Sequence, residues 1–326
     1  MGIYNAYLLM GMDDPIKSYV LPTTHRFVAN YVPTFINDDG CDACRSESCT
    51  DRNNFGIGQP KMFECIAHKS KGKKMLGYVK ADVDNLGAVF AFGLKENNTV
   101  SRISTLSRML DVFFSGYMQG MIKNDYPDLY TVYSGGDDLL VIGPWHTAIR
   151  FAEELNNKFR QFTCDNGNLT LSAGIALVKP GYPVFRSVTI ADNALDVSKD
   201  KGKNRLTVFG QTIDWVELPE VMTECRRLDT WLEQKQVSSG FAMNLLAYSQ
   251  MNNNYSNTGK TQYLKFLPLM TYDIARNLPS PNSQDPEKRD IRLWAEELKD
   301  LQGFKLKHLG IIANYALTAN RGGKNE

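Results

Sequence analysis

No apolar run in this chain of 326 residues approaches the roughly 20 that a membrane helix needs, so a membrane-spanning helix is not expected. The opening stretch, MGIYNAYLLMGMDDP, has neither the basic start nor the long apolar core of a secretory leader. A cytoplasmic protein is the expectation. An excess of one charge is missing too: 37 Lys and Arg face 36 Asp and Glu, a formal net charge of +1. That balance excludes a general basic coat for nucleic acid and an acidic tail as the organising theme. Contact with nucleic acid must then come from local patches. KSKGKK, residues 69–74, is one such patch, and a solvated loop explains it equally well. Cysteine is scarce, but Cys41, Cys44, Cys49 and Cys65 crowd into 25 of the residues, while Cys164 and Cys225 stand alone. Without a leader, metal binding fits the cluster better than disulfides.

What is present is enough apolar material for sizeable cores. The chain is 43% hydrophobic and 22% charged, and its length suits two or three domains. Residues 1–75 form a mixed segment ending in the Cys-, Gly- and Lys-rich stretch. Residues 76–212 alternate strand and helix signals. LGYVKAD (76–82) reads as a buried strand, and residues 101–122 carry apolar side chains at three-and-four spacing, the mark of an amphipathic helix. LYTVYS and DLLVIG read as two strands around Gly135-Gly136, a hairpin signal. A helix over 145–162, a strand over 169–178, a helix over 188–200 and a strand over 205–210 complete the region. The fold class is α+β. The first six elements, β-α-β-β-α-β, give the ferredoxin-like pattern of an antiparallel sheet with helices on one face. Residues 213–326 predict an all-helical domain, and no internal repeat is evident.

The sharpest chemical feature is TVYSGGDDLLVIG. Gly135 and Gly136 permit close approach of a ligand to the backbone, and Asp137 and Asp138 follow at once. Paired carboxylates at a hairpin tip repel unless a cation offsets them, and oxygen ligands of this kind suit Mg²⁺ or Mn²⁺. A plain hairpin with polar turn residues is the other reading of this segment. KADVDNLG adds Asp82 at the end of the first strand and Asp84 two residues on. If that strand lies beside the hairpin, Asp82, Asp137 and Asp138 form the minimum set for two-metal nucleotidyl transfer. A basic run, Lys199, Lys201, Lys203 and Arg205 around Gly202, would clamp a triphosphate, although Lys199 near a helix end also suits the helix dipole.

ADVDNLG, FGL, SRISTLSR, YSGGDDLLVIG, LSAGIA and KGKNRLTVF, in this order and spacing, resemble the second palm domain of the large subunit of type III-A CRISPR effector complexes. SRISTLSR between the two acidic motifs is particular to that subunit. The same region is more distantly similar to the GGDEF domains of diguanylate cyclases. The resemblance implies an antiviral, RNA-guided complex in which ATP is joined into cyclic oligoadenylate messengers once target RNA binds. It implies that Asp82, Asp137 and Asp138 hold the catalytic metals. Gly135 and Gly136 would admit the phosphates, Ser134 would lie beside the nucleotide, and Lys199 and Lys203 would lie near the triphosphate. The implied partners are other subunits of the complex, guide crRNA, target RNA and a second palm. Family members carry an N-terminal HD nuclease domain and a first palm. None of His25, His68, His146 and His308 is followed by Asp, so the chain resembles the C-terminal half and would need a second palm from another copy or another chain. GGDEF cyclases also place a phosphate-contacting Lys and a guanine-reading Asn soon after the first Asp motif. Their absence here speaks against guanine selection.

Cys41-x2-Cys44 and Cys65-x2-His68 have zinc-ribbon spacing, so a structural Zn²⁺ is expected, with Cys49 as an alternative ligand. In the tail, Ile311, Ile312, Tyr315 and Leu317 suggest an apolar face that docks neighbouring subunits or closes only on its own core.

Overall fold

The structure, a computed structural model, describes residues 29–36, 56–93 and 99–322. Its centre is β2 (Leu76–Val83), an eight-residue strand paired along its length on both sides. β3 (Tyr130–Gly135) and β4 (Asp138–Pro144) form the expected hairpin, and β4 lies antiparallel to β2. β5 (Leu171–Val178) flanks β2 on its other side, also antiparallel. β6 (Arg205–Val208) adds parallel to β5, and β7 (Gln211–Asp214) turns back on β6. With β1 (Ala29–Tyr31) at the far edge, the order is β1-β3-β4-β2-β5-β6-β7.

Strand alternation sends β2 into two cores. Val79, Ala81 and Val83 join the main cluster with Phe114, Met118 and Phe151. Leu76 and Tyr78 join a smaller cluster with Ile66 and Ala67 of α1 (Phe63–His68) and with Ala191. Ala191 belongs to α5 (Val184–Asp200), the crossover helix between β5 and β6. It runs tight against the sheet, because Gly174 of β5 has no side chain where the α5 backbone passes. On the other face lie α4 (Trp145–Phe162), whose bounds are those expected, and a long helix that is not uniform. α2 (Val100–Asp111) widens into a π-helical segment, Val112–Tyr117, before α3 (Met118–Asp125). The wide turn buries two neighbours, Phe113 and Phe114, and the Phe114 carbonyl accepts a hydrogen bond from Ser134 Oγ at 2.6 Å.

Beyond the sheet come α6 (Leu218–Glu233), α7 (Ser239–Thr258), α8 (Phe266–Asn277), α9 (Pro286–Glu297) and α10 (Phe304–Asn320). α10 is buried nearly all round against α6 and α7. It reaches the sheet layer through Tyr315, whose ring meets Trp145 at 5.0 Å between centroids. Ile311, Ile312, Tyr315 and Leu317 are thus buried inside the chain's own core, so of the two readings of this segment these side chains follow closure on its own core. β7 spans the boundary expected at residues 212/213. Its hairpin turns on Phe209 (φ 53°) and Gly210 (φ 72°), the two positive φ values of a type I′ turn. Among the described residues, no helix is long and apolar enough to cross a membrane.

Candidate active site

The register of the sheet brings the acidic segments together. Asp82 is the cross-strand partner of Asp138, and Gly135 pairs with Asp138 across the hairpin. The corner residues are Gly136 and Asp137, one position later than Gly135-Gly136. Gly136 sits at φ 71°, as the first central position of a type II′ turn requires. Two bonds from backbone N–H groups fix this corner. Val83 N–H donates to the Asp137 carbonyl at 3.0 Å, and Gly136 N–H donates to Asp111 Oδ1 at 2.8 Å. Asp82, Asp137 and Asp138 therefore crowd one end of the sheet.

Electrostatics record the crowding. Burial raises the pKa of Asp82 above the usual carboxylate range, Lys199 works against this, and Asp137 and Asp138 push it further up. Lys199, in the last turn of α5, forms an ion pair with Asp82. On the same face of β2, Lys80 Nζ lies 2.6 Å from Asp192 and 6.0 Å from the Tyr133 ring centre. Burial opposes the charge on Lys80, but hydrogen bonds to Asp192 and Tyr133 outweigh it and hold its pKa at about 12. Tyr133 O–H donates to Asp138 Oδ2 at 3.1 Å, so a relay of Asp192, Lys80 and Tyr133 orients one of the site's carboxylates.

Among the described residues, no three His, Cys, Asp or Glu side chains close around one point as a metal cage would. The donor set nonetheless suits a hard divalent cation. It is all carboxylate, it repels itself, and among the described residues its close countercharge is a single lysine. Lys203 reaches Asn85 at the mouth of the site, whereas Arg205 turns to Asp214 at 3.0 Å. Ser134 is buried and committed to Phe114. Of the cysteine set, Cys65 is buried on α1 one turn before His68, and Cys41, Cys44 and Cys49 lie outside the described residues.

Asp84 has a different part from its neighbour. It is 1% exposed and accepts from Thr170 Oγ1 at 2.8 Å, Ser172 Oγ at 2.7 Å and the Asn204 N–H at 2.9 Å. It thereby ties β5 and the lysine loop to the end of β2. That loop and its neighbour are held in the left-handed region at Asn85 (φ 57°), Lys203 (φ 64°) and Asn204 (φ 51°), conformations that persist only when surroundings impose them. We expect Asp84→Asn to lower stability by about 2 kcal/mol, because an amide offers one acceptor oxygen where a charge met three donors. Urea unfolding checks the figure; an unchanged midpoint would contradict it.

Tyr133, Lys80 and Asp111 were not singled out by the sequence. Lys80 could have been, since it lies two residues before Asp82 and so on the same strand face. Asp111 could not, because it arrives from a helix 25 residues away from the turn it binds.

Residues 75–207 match the family described as Cas10/Cmr2, second palm domain. About half of the chain is similar to curated proteins of type III-A CRISPR systems. It is 35% identical over 198 residues to the "CRISPR system single-strand-specific deoxyribonuclease Cas10/Csm1 (subtype III-A)" of Methanocaldococcus jannaschii, covering 52% of this chain and 25% of that protein. The Mycobacterium tuberculosis protein of the same name is 35% identical over 170 residues, 46% of this chain and 21% of that one. The chain thus spans about a quarter of the length of these curated relatives. Solved structures show the same fold: Csm1 of T. onnurineus has a TM-score of 0.64 at 22% identity, covering 90% of this chain and 42% of that one. A Csm1–Csm4 cassette in complex with cA4 has a TM-score of 0.63 at 22% identity, covering 90% and 40%.

Proposed function

We propose that this chain carries a nucleotidyl-transfer site that makes cyclic oligoadenylates from ATP within a type III-A RNA-guided antiviral complex. The observation that carries the reading is the register pairing of Asp82 with Asp138, with Asp137 at the adjoining corner. Solved relatives described as complexes with cA3, cA4, AMPPNP and ATP support the substrate class. Asp82, Asp137 and Asp138 would hold Mg²⁺ or Mn²⁺, which supplies activation of a 3′-hydroxyl and charge neutralisation on the leaving pyrophosphate. Gly136, without a Cβ and with its N–H held by Asp111, leaves room at the corner for phosphates. Lys199 is poised to exchange its carboxylate partner for a phosphate, and Lys203 stands at the mouth. Tyr133 fixes the rotamer of Asp138.

A second palm, other complex subunits such as the Csm4 seen with relatives, guide crRNA and target RNA are the partners this reading requires. Cys65 and His68, on one face of α1, would give two ligands to a structural Zn²⁺, with Cys41 and Cys44 supplying the others and Cys49 as an alternative ligand. The test is direct: the chain, assembled with its partner subunits and target RNA, is given ATP or GTP with Mg²⁺ or Mn²⁺. Cyclic adenylates from ATP, and far less product from GTP, are expected by mass spectrometry. No product under any metal would refute it. The Asp82–Lys199 pair, which gives one of the three carboxylates a countercharge without an ion, favours one other reading, a scaffold that keeps an inactive site. ATP binding that ignores removal of the divalent ion would support that reading.

A further inference from the structure

The lysine patch KSKGKK lies at the other end of β2, away from the aspartates. Leu76 and Asp82 lie six strand steps apart, about 20 Å at strand rise, and Lys74 lies beyond Leu76, so this end of the sheet is independent of the nucleotide-transfer reading. The patch is not a loose loop. Ser70 Oγ donates to the Met75 carbonyl at 2.6 Å, the Trp145 indole N–H donates to the Lys71 carbonyl at 2.8 Å, and Lys73 N–H donates to the Thr318 carbonyl at 3.0 Å. Gly72, at φ 63°, is pressed so close to α10 that a Cβ would lie 2.1 Å from the Ala319 carbonyl oxygen. Lys71 is anchored inward on buried Asp229 at 2.5 Å. The remaining lysines are thus presented from a rigid base.

The β2–β5 register then adds a second basic segment. Leu76 pairs with Val178, which places the start of β2 beside Lys179 and the turn after it. Lys73, Lys74, Lys179 and Tyr182 line one concavity of about 580 Å³. Among the described residues none of these three lysines has a carboxylate partner; Lys74 Nζ meets only the His68 and Ser70 carbonyls. The rim runs into the N-terminus of α5, where no side chain caps the first N–H groups, the positive end of a helix dipole. Two aromatic rings stand open there: Tyr182 is 38% exposed and Phe185 82%.

We propose that this concavity binds single-stranded nucleic acid, with backbone phosphates on Lys73, Lys74 and Lys179 and bases stacked on Tyr182 and Phe185. Unpaired cations would hold any phosphate, but exposed aromatics beside them fit a strand, whose bases need stacking platforms.

The test uses the full chain and a labelled 12-nucleotide single-stranded RNA, read by fluorescence anisotropy across a salt series. Lys73→Gln combined with Lys179→Gln should weaken binding at least tenfold and lessen the log–log salt slope by about 1.4, at about 0.7 for each phosphate no longer neutralised. Tyr182→Ala with Phe185→Ala should weaken binding about thirtyfold or more and leave the slope as it was. Neither lysine bears an ion pair among the described residues, and circular dichroism of each variant confirms folding. Affinity and slope unchanged by the lysine pair would overturn the proposal. So would inorganic triphosphate displacing the RNA at equal concentration, which marks a simple phosphate site. Loss of assembly with partner subunits while RNA binding persists would also overturn it, and would mark a protein-docking surface instead.

Discussion

Asp138→Ala should abolish cyclic-oligoadenylate formation by the assembled complex, lowering the rate at least about 10³-fold, or roughly 4 kcal/mol of transition-state stabilisation. Asp138 begins β4 opposite Asp82, and its carboxylate is both a candidate metal ligand and the acceptor of the Tyr133 hydroxyl. Removing it leaves Asp82 and Asp137 as donors, too few to hold two cations in line with a phosphorus centre. Stability should scarcely suffer. The hydrogen bond removed is partly exposed, and Asp82 is relieved of a neighbour that pushes its pKa up. The rate should therefore collapse while the melting temperature moves by only a few degrees. Full activity in this variant would refute the metal-site reading. Lost activity together with a lost fold would be answered by Asp138→Asn, which keeps the shape and the Tyr133 acceptor.

Gly174→Ala should be the most destabilising single-methyl change in the sheet. A Cβ there would lie 2.2 Å from Leu195 N, 2.5 Å from the Ala191 oxygen and 2.7 Å from the Ala194 carbonyl carbon. All three are backbone atoms of α5, so no side chain can swing aside and the whole helix must lift. Overpacking of this kind costs typically 1–3 kcal/mol, and a rigid backbone on every side argues for about 3. The helix that must lift carries Asp192 and Lys199, the partners of Lys80 and Asp82, so nucleotide affinity should fall with stability. Guanidinium unfolding measures the first effect and ATP titration the second. Gly120→Ala is the control: nothing lies within 4 Å of a Cβ there, and in α3 the change should be neutral or stabilising by up to about 1 kcal/mol. Equal midpoints for the two variants would contradict the tight packing of α5 on β5.

The strongest elements were legible because burial and period agreed. The stretch over 145–162 repeats its apolar residues at helical spacing and is a helix of those bounds. β2 and β4 are runs of buried side chains bounded by turn formers. β1 and β7 were not legible. They are three and four residues long, and QTID has no apolar alternation; it is a strand because the Phe209–Gly210 corner returns the chain onto β6. The π-helical turn escaped as well, since nothing in VFFSGY distinguishes it from an α-helical turn. At the site, Gly135, Gly136, Asp137 and Asp138 are all turn formers, so composition could not fix the corner. The bond from Val83 N–H to the Asp137 carbonyl, across more than fifty residues, does. Asp84 was placed beside Asp82 by spacing, but alternation does not continue past the strand end, and there it turns inward to Thr170, Ser172 and Asn204.

β2 is hydrogen-bonded on both edges from Leu76 to Asp82, whereas Asp137 sits on a corner with a single neighbour strand. In terms of time, this divides the site. The backbone that carries Asp82 is freed only when the sheet itself comes apart, the slowest opening a domain undergoes, while the corner at Asp137 can open locally and far more often. The backbone under one carboxylate thus shares the lifetime of the whole sheet, while that under its companion depends on the bonds from Val83 and to Asp111.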